Sequence, residues 1–160
     1  MFCLSLLAFA FQASNAQEFA IDDNVISAGI GLGGNYGSFS TSSQTPGLSL
    51  QYERGVWEIA GRDVISLGGY VGYKSYTYDA GIADDKWTYT IVGVRGAYHF
   101  NGLNVDNLDV YGGAMISYNI LSFKGAGSYG STAAATGFLG GRWYFSESIA
   151  AMAEVGYGVA

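Results

Sequence analysis

From Asn24 onward the chain alternates with a period of two. In "NVISAGIGLGGNYG" one set reads Ile26, Ala28, Ile30, Leu32 and Tyr36, and the other reads Ser27, Gly29, Gly31, Gly33 and Asn35. The same alternation runs through "PGLSLQYE", "VISLGGYVGYKSY", "TIVGVRGAYHF", "LDVYGGAMISYNI", "TGFLGGRWYF" and "AAMAEVGYGV". This is the period of a strand with two unlike faces, not the 3.6 of a helix. The segments between are turn-like: "SFSTSSQT", "DAGIADDK", "NGLNVDN", "KGAGSYGS" and "SES". Seven strands joined by short linkers, with no helix to carry a parallel crossover, predict an antiparallel up-and-down meander.

Alternation alone does not say which face is outside. A soluble barrel has the same period with an apolar interior. Composition turns the argument toward a membrane. Hydrophobic residues make up 49% of the 160 and charged residues only 12%, against about 25% charged in an ordinary soluble domain. The polar sets are mostly Gly, Ser, Thr, Asn and Gln, which suit a cramped interior, and not the Lys and Glu of a wetted surface. The apolar sets carry almost no charge. Their exception, Arg54, sits at a strand end from which it can snorkel. The apolar sets also end in aromatics. Tyr52, Tyr98, Phe100, Trp143 and Phe145 fall at one end, and Tyr36, Tyr73, Tyr118 and Tyr157 at the other. Two girdles of rings are expected where strands cross the two headgroup layers. No stretch after the N-terminal run offers the ~20 apolar residues of a spanning helix. A net charge of −6 with seven scattered basic residues argues against a nucleic-acid partner.

Two arginines interrupt apolar stretches, in "GVRGAYHF" and "GGRWYF". Arg95 and Arg142 fall in the inward register of their strands, and Glu53 and Glu154 point inward near the same rim. A lone charge walled by hydrocarbon is costly, whereas paired charges are tolerated. The four are therefore read as an interior, structural charge cluster.

The N-terminal run "FCLSLLAFAFQA" followed by "SNA" has the h-region and small-residue cleavage site of a secretory leader. Residues 1–16 are expected to be a signal peptide cut after Ala16, and residues 17–160 one barrel domain. No basic residue precedes the run, as an internal start in a longer frame would leave it. Cys3 is the single cysteine, so the processed chain has neither disulfides nor thiol chemistry.

With the leader, the glycine-rich first strand "GIGLGGNYG", the "VRGAYHF" strand end and "LDVYGGAMISYNI" after it, the chain resembles the small outer-membrane β-barrels of Gram-negative bacteria. These are the OmpA, OmpX and OmpW type, and more narrowly the family called outer membrane protein β-barrel domain. The resemblance covers nearly the whole chain after the leader. It implies eight strands, a periplasmic N-terminus and long outer loops. It implies integral residence in the outer membrane, with outer-membrane lipid and the barrel assembly machinery as partners and a possible extracellular ligand at the loops. The chain departs from that pattern at its end. Single-chain bacterial barrels have an even number of strands, and seven are counted. The expected fold is therefore an all-β, antiparallel up-and-down transmembrane barrel of the eight-stranded type, with seven strands present and the final one lacking.

Other motifs are set aside. Gly29, Gly31 and Gly34 spell G-x-G-x-x-G, but a loop follows where a dinucleotide site needs a helix. No cofactor is expected. One histidine, His99, permits no multi-histidine metal site. It lies inward near the rim, where a lipid hydrolase would need its triad on the outer surface. Asp79, Asp84 and Asp85 lack the spacing of a calcium loop, and nearby Trp87 and Tyr89 read as girdle or loop surface. The chain is not expected to be an enzyme. Two roles remain: a structural or adhesive barrel with a side-chain-filled lumen, or a narrow porin-like channel for small or hydrophobic molecules.

Overall fold

The computed structural model describes residues 2–12, 19–32, 43–79, 84–103, 105–124 and 130–158. For Phe2–Gln12 it describes the backbone pairing alone. The strands are β1 (Phe2–Gln12), β2 (Asn24–Leu32), β3 (Ser43–Gln44), β4 (Gly47–Ile59), β5 (Asp63–Asp79), β6 (Asp84–His99), β7 (Leu108–Lys124), β8 (Thr132–Ser146) and β9 (Ile149–Gly158). One 3₁₀ turn, Asn101–Leu103, follows β6. The chain is all-β.

The seven expected strands are β2 and β4 to β9. Each pairs antiparallel with the next, from β2–β4 through β8–β9, and they wrap into a nearly closed barrel. Short turns at 60–62 and 147–148, with the longer connection 100–107, mark one end of the barrel, called the lower end below; the connections 80–83 and 125–131 lie at the other, upper end. Several strands run further than the alternation shows. β5 and β6 stay in register out to Asp79 opposite Asp84, taking up part of the expected linker. β7 continues to Lys124. β4 continues past Glu53 to Ile59, because a bulge between Gly55 and Trp57 shifts its register against β5. A bulge adds a residue to one strand and breaks the period of two, so this extension is invisible to a pattern search.

The gap in the barrel lies between β2 and β9. In the full chain the backbone of β1 pairs antiparallel with both. Its register sets Phe2, Leu4 and Leu6 opposite Tyr157, Val155 and Ala153. After a shift between Leu6 and Ala8, Phe9 and Phe11 stand opposite Ala151 and Ile149. The reading of 1–16 as a leader concerns the processed chain. In the full chain this stretch occupies a seat one strand wide.

The outer face is largely apolar. Ile26, Leu48, Leu50, Val71, Val94, Ile116 and Leu139 are exposed, at up to 73% for Ile116. The interior is closed at its lower half by Arg95, Arg142, Glu53, Asp109, His99 and Tyr111, all nearly inaccessible. Two apolar clusters pack around them: Phe19 with Val25, Val64, Tyr144 and Ala150, and Ala97 with Tyr111, Met115, Phe138 and Met152.

Candidate functional site

The structure brings Glu53, Arg95, Arg142 and Glu154 together in the lower lumen. Period-two alternation points each of them inward, from β4, β6, β8 and β9 respectively. Arg95 reaches across to Glu154, with Nη2 2.8 Å from Oε2. Its Nε lies 3.1 Å from Glu53 Oε1, an ion-pair contact without hydrogen-bond geometry. It also donates to Gln51 Oε1. Arg142 donates to Glu53 Oε2 and, at 3.0 Å, to Asp109 Oδ2. Glu53 thus sits between the two guanidiniums. Sequence leaves open which acid meets which arginine; in the structure Arg95 holds Glu154 and both arginines share Glu53.

Aromatic rings complete the packing. The Arg95 guanidinium lies 4.0 Å from the Phe138 ring centroid, and that of Arg142 lies 4.5 Å from Tyr111. Such contacts matter most where water is excluded. Tyr111 donates to Glu154 at 3.1 Å. Its ring fits because residue 140 is glycine: a Cβ there would lie 2.6 Å from the phenol carbon.

Asp109, His99 and Ser66 extend the cluster beyond the four residues read from sequence. His99 Nδ1 lies 2.8 Å from Asp109 Oδ1, and Nε2 lies 3.0 Å from Ser66 Oγ. This is the connectivity of a Ser-His-Asp relay, and its chemistry must be weighed. A nucleophilic serine needs a reacting carbonyl about 3 Å away and donors for the oxyanion. Ser66 and His99 are both 0% exposed, with Phe19 stacked on the imidazole at 3.9 Å, and Asp109 is shared with Arg142. In this arrangement the serine has no room for a substrate. The signal for Asp109 was present in its inward register; it stands directly opposite Arg142 on β7 and β8.

The aromatic residues expected to form girdles lie on the outer face. Tyr52, Tyr73, Tyr98, Phe100, Tyr118, Trp143, Phe145 and Tyr157 are all exposed. Tyr36 lies outside the described residues. Trp57, on the unforeseen part of β4, joins them at 57% exposed. Tyr98 and Tyr52 also make polar contacts, to Asp63 and to Asn24 Oδ1 respectively, as amphipathic rings do at a polar boundary. The side chains of Asp79, Asp84 and Asp85 lie outside the described residues. Among the described residues, no helix is long and apolar enough to cross a membrane, which says nothing of crossing by strands.

No family model and no curated protein matches this sequence. The functional reading therefore rests on the geometry.

Proposed function

We propose that this chain is an integral outer-membrane β-barrel of the eight-stranded type, with a side-chain-filled lumen and a structural or loop-mediated surface role. One observation carries the reading: the barrel is inside out. Large apolar side chains are exposed around the wall, while two arginines, two acids and a histidine are buried at 2% or less. In water both halves of that distribution are unfavourable, because large exposed apolar patches are rare and charges are almost never fully buried. In a bilayer the outer face meets hydrocarbon and the ions face one another. The single-strand seat between β2 and β9 favours a ring of eight, since an unpaired edge in lipid costs several kcal/mol per unsatisfied group. In this reading the Ser66–His99–Asp109 chain positions the plug and does not turn over a substrate. The outer-membrane lipid is the first partner, the assembly machinery the second, and a ligand at the outer loops the third.

The channel reading draws on the upper lumen, where the Ser117 and Thr136 hydroxyls find no protein partner. Such groups are ordinarily satisfied by water. The lower cluster weighs against a through-path. Reconstitution tests the proposal: the protein should require detergent or lipid, give strand-rich circular dichroism there, and show its apolar wall protected from surface labelling by vesicles. Recovery as a soluble monomer without detergent would overturn it. Steady conductance of the unmodified barrel in a planar bilayer would select the channel.

A further inference from the structure

The segment just before β2 is not part of the sheet, yet it carries one of the most deeply buried rings in the molecule. Phe19 is 1% exposed. It clusters with Val25 of β2, Val64 of β5, Tyr144 of β8 and Ala150 of β9, and it stacks on His99 of β6 at 3.9 Å and 14°. The cluster and the stacked imidazole draw on five strands around the barrel, which places the ring across the lower mouth of the lumen. The Arg142 guanidinium is 5.9 Å from its centroid, which places it directly beneath the charge cluster.

The backbone that delivers it is held by a separate set of contacts. Asn101 donates to the Phe19 carbonyl at 3.0 Å. The Ala20 amide donates to Asp23 Oδ2 at 2.8 Å. Asp22 N donates to Gly55 O and Gly55 N to Asp23 O, both at 3.0 Å. Asp22, in the left-handed region at φ 67°, pairs with Arg54 at 2.7 Å. The approach to β4 is so close that a Cβ on residue 55 would lie 2.1 Å from the Ala20 oxygen. Only glycine permits this strap to seat.

We propose that Phe19–Asp23 is a stopper strap, and that withdrawal of Phe19 admits water and small ions to the base of the lumen. The proposal rests on the filled-lumen reading and gives that reading a movable part. The strap is fastened by a few local hydrogen bonds and one ring, whereas the wall is fastened by continuous ladders. Segments held in this way open at lower free energy than the sheet they cover. The ion pairs above it would then be the second, fixed layer of the closure.

Two variants displace the strap by independent routes. Phe19→Ala removes the ring. Gly55→Ala pushes the strap off β4 and leaves every lumen side chain in place. Phe19→Leu keeps an apolar filling and serves as the conservative control. The full chain is folded into lipid, its folding is checked by circular dichroism, and two readouts follow. The first is step conductance in a planar bilayer. The second is carbethoxylation of His99, which is the single histidine of the chain and so reports one site. Wild type and Phe19→Leu are expected to be silent and protected; Phe19→Ala and Gly55→Ala are expected to expose His99 to the reagent and, with the ion pairs above still in place, to stay silent in the bilayer. If His99 stays protected in both folded variants, the stopper is wrong while the filled lumen stands. If wild type conducts, the filled-lumen reading fails and takes the stopper with it.

Discussion

The lower and upper halves of the lumen are built from the same alternating strands and solve burial in opposite ways. In the lower half, Arg95 and Arg142 meet Glu53, Glu154 and Asp109 at ion-pair distance, with aromatic rings on the guanidinium faces. In the upper half most inward residues are neutral, with Lys74 as the exception. Ser117 and Thr136 are nearly inaccessible, and their hydroxyls have no protein partner. A dense charged network is tolerated where opposite charges meet, although Glu53 Oε1, Arg95 Nε and Arg142 Nε here make no hydrogen bond. Isolated hydroxyls are tolerated where water reaches them. From this difference we infer a barrel that is dry and closed at its lower end and a wetted cup at its upper end. Substitutions should therefore cost much below and little above.

The largest expected effect is at Arg142. Removing one partner of a buried ion pair leaves an uncompensated charge and costs roughly 3–5 kcal/mol, more than replacing both. Arg142→Ala should therefore destabilise the folded barrel by about that amount in urea titrations in lipid. Arg142→Ala combined with Glu53→Ala should cost less than the sum of the two single changes, because the two side chains bond directly. Additivity of the pair would mean that each charge is solvated separately, and the lower half would then be as wet as the upper.

Much of this contrast is legible in the sequence, and what is missing has a definite cause. The period of two assigns a face to every strand residue, so Ile26, Leu50 and Ile116 are placed outside and Arg95, Arg142, Glu53 and Glu154 inside from spelling alone. The period does not fix how far neighbouring strands are displaced along each other. That offset decides that Asp109 stands opposite Arg142, and that His99 stands opposite Tyr111. Without it, Asp109 is one inward acid among other inward residues, and His99 looks isolated. Phe19 was hidden for a different reason. It precedes the first alternating segment, and nothing in "QEFAIDD" says that a residue outside the sheet will be drawn into the barrel mouth. Trp57 was lost to the bulge after Gly55, which shifts the alternation out of phase. Patterns repeated along one strand are readable; contacts set by shear, bulges and non-strand segments are not.

A smaller effect is expected at Ser66, still in the lower half. Its hydroxyl is 3.0 Å from His99 Nε2 and has no solvent exposure. Ser66→Ala removes that partner and leaves one ring nitrogen without its contact, at a cost of about 1–3 kcal/mol. The expected result is a lower urea midpoint with an unchanged slope, which marks a stability loss without a change in the surface exposed. A cost near zero would mean that water replaces the hydroxyl, and the closed end would not be dry. The same variant bears on the relay: a serine-directed fluorophosphonate should label neither wild type nor Ser66→Ala, since the serine has no room for a tetrahedral adduct. Labelling of wild type that is lost in the variant would overturn the structural role of Ser66.

The smallest effect, and the sharpest partner to the last one, is at Ser117. It is also an inward serine, 4% exposed, on β7. The chemical change in Ser117→Ala equals that in Ser66→Ala, and the burial is similar. The two sites differ in what the hydroxyl touches, because Ser117 Oγ has no protein hydrogen bond to lose. Replacing an unpartnered polar group by a methyl strands nothing on the other side. The change should lie within about 0.5 kcal/mol of zero in either direction, as for substitutions away from named stabilising features. The paired measurement, Ser66→Ala against Ser117→Ala under one set of folding conditions, compares the two halves of the lumen with a single atom type. Equal costs at the two positions would mean that the upper hydroxyl is held as tightly as the lower one, and the division of the barrel into a dry base and a wet cup would fail.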